Sequence, residues 1–108
     1  MLYELRTYHA MPGKLSALND RFEQYTLKFF ARHDIRAVGF WTTYIGPDNH
    51  VLIYLLQWPD LATRETRWNA FMADPDWLTA KAETELNGPL VARVENSILT
   101  PAAYSALR

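Results

Sequence analysis

No cysteine occurs anywhere in the chain, which excludes disulfide bridges and thiolate chemistry and is compatible with a cytoplasmic setting. Neither sign of charge dominates: eleven basic and twelve acidic side chains leave a formal net charge of -1, so the basic footprint of a nucleic-acid binder is missing. No apolar run reaches the roughly 18 residues that a membrane helix needs. Glu4 and Arg6 interrupt the N-terminus at once, so neither a span nor a signal peptide is expected. Also missing are a Gly-rich phosphate loop, a GxSxG elbow and a GxGxxG fingerprint, and with them any local warrant for nucleotide cofactors or the common serine-hydrolase design. His9, His33 and His50 are scattered, with no HxxxH spacing and no cysteine partner for a metal. No metal site and no cofactor are expected, although a single axial histidine for haem stays open. Repeats and low-complexity segments are absent too.

What is present is core-forming material. With 49% hydrophobic and 14% aromatic residues in a chain of 108, the composition suits a single packed domain, taken as 1–108. The segment "LYELRTYHA" reads as a first strand from about Leu2 to His9, ended by Met11-Pro12-Gly13, where Pro12 can open a helix. Leu15, Leu18, Phe22, Tyr25 and Phe29 then recur at steps of three and four, the stripe of a buried helix, which should stop near Arg32 to Asp34. In "RAVGFWTTYIGPDNHVLIYLLQW" two β-rich runs flank Gly46-Pro47-Asp48-Asn49, turn chemistry at hairpin length. Asp60 is a helix N-cap candidate ahead of Leu61, Trp68, Phe71 and Met72. Asp74, followed by Pro75, is the N-cap of a short third helix closed by Gly88. Leu90 to Leu99 form the last strand.

The order strand, helix, strand, strand, helix pair, strand predicts an α+β, ferredoxin-like βαββ(αα)β protomer, an antiparallel sheet with helices on one face. Strand alternation puts Glu4 and Arg6 on one side of the first strand, opposite Tyr3 and Leu5, and Arg93 and Glu95 together on the last strand. These four are expected to cluster on the face away from the helices. The two middle strands are apolar on both sides, so the second face needs a cover, and a second copy of the sheet is the economical one.

Candidate site residues follow from that arrangement. Arg6 and Arg93 would bind a carboxylate or enolate between two sheets, and Glu4 or Glu95 would act as proton acceptor if burial raised its pKa. Trp41, Tyr54 and Trp58 would form an aromatic wall. Trp41 is preferred there over Phe40, since a one-residue slip of the hairpin exchanges them. A closed alternative pairs Arg6 with Glu95 and Glu4 with Arg93. Arg64, one turn before Trp68, reads as a stem that packs while its charged head reaches water.

Six segments in order, "YELRTY" at Tyr3 to Tyr8, "PGK" at Pro12 to Lys14, "VGFWT" at Val38 to Thr42, "IG" at Ile45 and Gly46, "DPDW" at Asp74 to Trp77 and "NSIL" near the end, resemble the NIPSNAP family over nearly the whole chain. The resemblance implies a dimeric α+β barrel in which two ferredoxin-like protomers pack sheet against sheet. It implies no agreed activity and no catalytic residues to carry over. The leading expectation is a cytoplasmic homodimer that binds a small molecule between its sheets, in catalytic form a cofactor-independent enzyme acting on a carbonyl or phenolic metabolite. The alternatives are an interaction or scaffold protein with a solid barrel, and a haem-linked oxidative enzyme. Assembly beyond a dimer is left open, and no nucleic acid or membrane is expected as a partner.

Overall fold

Four antiparallel strands form one sheet in the computed structural model, which describes all of residues 1–108. They are β1 (Leu2–Ala10), β2 (Arg36–Thr42), β3 (Val51–Trp58) and β4 (Val91–Leu99), in the spatial order β2-β3-β1-β4. Between β1 and β2 the chain runs through α1 (Leu15–Arg21), a π-helical turn (Phe22–Thr26) and α2 (Leu27–Arg32), one continuous rod. Two further helices, α3 (Leu61–Ala73) and α4 (Pro75–Thr84), precede β4. The fold is α+β and ferredoxin-like, with all helices on one sheet face.

Local chemistry sets most boundaries. Asp60 accepts from the Thr63 N–H at 2.7 Å and Asp74 from the Asp76 N–H at 2.9 Å, so both expected N-caps form, with Pro75 in the first turn of α4. The helix does not begin at Pro12. Gly13 adopts φ +75°, the Lys14 N–H closes a turn on the Met11 carbonyl, and α1 starts at Leu15.

The π turn changes which residues of the first helix are buried. Leu18, Phe22 and Phe29 face the core as their spacing predicts, but across the π turn Thr26 is buried, Phe30 joins Phe29, and Tyr25 is only half-buried. Arg21 is drawn in beside Phe22.

The core fills the layer between helices and sheet. Leu52, Tyr54, Leu56 and Trp58 project from β3, all 2% exposed or less, against Phe22 and Phe30 of the first helix and Phe71 of α3. Phe22 lies edge-tilted on Tyr54 at 5.2 Å, and Phe71 on Trp77 at 4.9 Å. Such aromatic pairs add to the large apolar area each ring buries.

The opposite sheet face carries no helix. Leu5 and Thr7 of β1, Trp41 of β2, Ile53 and Leu55 of β3 and Leu99 of β4 share it, with Leu5 facing Leu55 across the ladder. Trp41 folds flat over Gly39, where a Cβ would stand 2.8 Å from its ring.

Candidate functional site

The ladder register overturns the expected placement of the charged quartet. Glu4 pairs across β1–β3 with Leu56, and Arg6 with Tyr54, so both project into the helix-facing layer beside the core. Arg93 and Glu95 lie opposite His9 and Thr7 on the other face. Period-two alternation groups the residues of β1 correctly but does not say which group the helices cover. Glu95 contacts His9 and Arg93 on the surface, and both Arg93 and Glu95 remain more than half exposed. The pairings Arg6 with Glu95 and Glu4 with Arg93 therefore do not form.

Glu4 is completely buried and its carboxylate is saturated. It accepts from Arg6 Nη1 at 2.8 Å, Arg64 Nε at 2.7 Å, Arg64 Nη2 at 2.9 Å, Asn96 Nδ2 at 2.9 Å and Trp58 Nε1 at 3.0 Å. Burial pushes this carboxyl up, but the hydrogen bonds from Arg64, Asn96 and Arg6 outweigh it and bring the pKa down to about 2. The condition for Glu4 as a proton acceptor, a raised pKa, is not met. Arg64, expected to send its head to water, instead turns its fork inward to clamp Glu4.

Arg6 carries the network onward. Its guanidinium lies 4.3 Å from the centre of the Trp68 ring, and Nε donates to the Tyr54 hydroxyl at 2.9 Å. Nη2 reaches the Tyr8 hydroxyl at 3.3 Å, and the two tyrosine oxygens are 2.8 Å apart. Burial foremost pushes the Tyr54 phenol well above its ordinary range, so it stays protonated.

Arg6 and Tyr8 open onto a cavity of about 380 Å³ between sheet and helices. Phe22, Phe30, Trp68, Phe71 and Trp77 make its apolar wall, and Val91 and Val94 its β4 side. A bulge shifts the register of β1–β4 between His9 and Ala10, which lets both valines face inward. Arg21 completes the lining at only 5% exposure. Its Nε has no hydrogen-bond partner, and Nη1 has one long contact to Thr84 at 3.4 Å with Glu85 at 3.8 Å. Burial pushes this guanidinium down, opposed by Glu85 and Tyr8.

The aromatic candidates separate in the same way. Tyr54 and Trp58 are core residues on the helix side, fully buried, whereas Trp41 is half-exposed on the open face. Phe40, the other member of the hairpin choice, stacks on Tyr54 at 5.2 Å. The sequence reading missed Tyr8, Arg21 and Trp77. Tyr8 carried a signal, since it shares a strand face with Glu4 and Arg6, and so did Arg21, three residues after Leu18 on the buried helical stripe, although its charge argued against burial.

None of the three histidines lines the cavity, and no group of three or more His, Asp or Glu side chains is placed to hold a metal. No helix is long and apolar enough to cross a membrane.

A four-stranded antiparallel sheet with its helices on one face defines the class, an α+β, ferredoxin-like protomer whose fold is shared with known structures. A model of the NIPSNAP family matches residues 3–106. Protein Atu4242 from Agrobacterium tumefaciens is 30% identical over 100% of both chains with a TM-score of 0.86, and is described as a NIPSNAP family protein with unknown function. An uncharacterized NIPSNAP-like domain protein from Burkholderia xenovorans is 28% identical over 96% of this chain and 87% of its own, TM-score 0.83. The chain belongs to the NIPSNAP family. SnoaB from Streptomyces nogalater, a cofactor-independent oxygenase, shares the fold alone at 18% identity over 94% of this chain and 92% of its own, TM-score 0.59. No curated protein matches the chain.

Proposed function

We propose that this NIPSNAP-family protein binds a small, largely apolar, ring-bearing molecule in the cavity between its sheet and its helices. The observation that carries this reading is the cavity itself: about 380 Å³, walled by five aromatic rings, with a few polar groups converging on it. That size and lining suit a metabolite-sized ligand. The pocket is thus relocated from the space between two sheets to the inside of one protomer. In its catalytic form the protein would be a cofactor-independent enzyme turning over a carbonyl or phenolic metabolite. SnoaB lends that version an architectural precedent and nothing about residues.

A homodimer joined through the open sheet faces is the second part of the proposal. Its support is the row of Leu5, Trp41, Ile53, Leu55 and Leu99 on a face no helix covers, a larger apolar stripe than a monomer ordinarily leaves in water. A cytoplasmic location belongs to the same reading, and cell fractionation tests it.

Native mass spectrometry of the protein as purified, followed by a ligand-observed NMR titration with 2-methylnaphthalene, tests the cavity. A discrete extra mass or saturable binding of the probe is expected, and Val94→Trp, which fills the cavity from its β4 edge, should remove it. No extra mass and no probe binding, or binding unaffected by Val94→Trp, would overturn the reading.

A further inference from the structure

Hydrogen-bond polarity around Tyr8 limits what the cavity can hold. The Tyr54 hydroxyl is buried and has two neighbours, Arg6 Nε at 2.9 Å and the Tyr8 oxygen at 2.8 Å. Arg6 can only donate, so Tyr54 accepts from it. If Tyr54 also accepted from Tyr8, its own buried proton would have no acceptor, an expensive arrangement. Tyr54 therefore donates to Tyr8.

The Tyr8 oxygen thus receives two hydrogen bonds, from Tyr54 and from Arg6 Nη2 at 3.3 Å. A hydroxyl accepts two and donates one. With both lone pairs taken, the remaining proton of Tyr8 points to the cavity that its side chain lines. This direction is anchored from behind. Arg6 is held by Glu4, and Glu4 by both nitrogens of the Arg64 fork, Asn96 and Trp58.

Arg21 stands on the same cavity, close enough for Tyr8 to act on its charge. It is 95% buried, with an unpartnered Nε and a single long hydrogen bond from Nη1. A buried guanidinium this poorly matched is costly without a counter-ion. Glu85, at 3.8 Å, is a distant partner and itself partly exposed. Lys81 is a third cation of the lining, after Arg6 and Arg21, against the single carboxylate of Glu85.

We infer that the cavity is built for an oxyanion on an aromatic or similarly flat apolar body, a carboxylate or an enolate, received by the Tyr8 hydroxyl and the Arg21 guanidinium. Tyr8 and Arg21 are the specificity-determining residues. Tyr54 and Arg6 are positioning residues that fix the direction of the Tyr8 proton. The inference rests on the cavity reading above and adds the ligand's charge and chemical class to it.

Ligand-observed NMR titrations of 2-naphthoate and 2-methylnaphthalene against the whole chain separate the two claims. The wild type should bind 2-naphthoate at least tenfold more tightly. Tyr8→Phe should reduce that preference about fivefold and Arg21→Met about tenfold or more, each with 2-methylnaphthalene affinity kept within twofold. The oxygen-free probe reports whether the cavity is still formed in each variant. Equal affinity of the wild type for both probes, or an unchanged preference in either variant, overturns the inference and leaves the cavity reading standing. Binding of neither probe overturns both.

Discussion

Replacing Glu4 by Gln keeps the side chain's size and removes the charge on which five hydrogen bonds converge. Folding moves this carboxyl from an ordinary 4.5 to about 2. At about 1.4 kcal/mol per pKa unit, its ionised form contributes roughly 3 kcal/mol at neutral pH. The amide also turns one N–H pair toward donors, and Arg6, 8% exposed, loses its countercharge. The expected loss is therefore about 3 to 5 kcal/mol, the range for breaking a buried ion pair from one side. Because folding lowers the pKa, the contribution is complete above about pH 4.5 and drains away as pH falls toward about 2. Urea denaturation of both proteins from pH 7 down to pH 3 should show a gap that narrows steadily below about pH 4.5. A loss under about 1 kcal/mol at pH 7, or a gap of constant size, would refute the hub assigned to Glu4.

Arg21→Met should raise the unfolding free energy of the ligand-free protein in urea by about 1 kcal/mol or more, since a poorly paired buried charge gives way to an apolar side chain of similar length; a lowered value would mean that Thr84, Glu85 and Trp77 hold Arg21 better than their distances suggest. Asp74→Ala should lower the thermal midpoint more than Asp60→Ala, because Asp74 caps α4 and also binds His33 and Arg32, whereas Asp60 only caps α3. The His33 hydrogen bond, first among its causes, holds the Asp74 carboxyl at about 2, so the difference should fade in thermal melts as pH falls from about 3.8 toward 2. Leu55→Asp, at the centre of the open sheet face, should weaken the proposed dimer at least a hundredfold in analytical ultracentrifugation while the monomer stays folded; an unchanged dissociation constant would move the interface elsewhere.

The fold was legible because its signals are local. The spacing of Leu18, Phe22 and Phe29 and the caps at Asp60 and Asp74 each depend on a few neighbouring residues and reappear in the structure; the two β-rich runs also pair, but β2 ends at Thr42 and residues 43–50 form an irregular loop instead of a tight turn at Gly46 to Asn49. The two faces of β1 were equally legible as groups. What alternation cannot supply is the identity of the covered face, because a strand's pattern is unchanged when helices sit on either side. Charges on Glu4 and Arg6 argued for an uncovered face. The structure buries them because donors from three other positions, Trp58, Arg64 and Asn96, arrive to pair Glu4, and the Tyr54 hydroxyl accepts from Arg6.

The sequence by itself determined the element order, the apolar stripes, the absence of thiols, and the family. Tertiary structure decided that Glu4 is a saturated anchor rather than a base, and that Trp41 parts from Tyr54 and Trp58. It also brought Tyr8, Arg21 and Trp77 to one cavity. Those outcomes depend on contacts between residues from 46 to 92 positions apart, such as Tyr8 with Tyr54 and Glu4 with Asn96, and on a π turn at which Thr26 rather than Tyr25 is buried. Local periodicity carries no information about either, since long-range pairing and a one-residue insertion in a helix are settled by packing after the elements have formed.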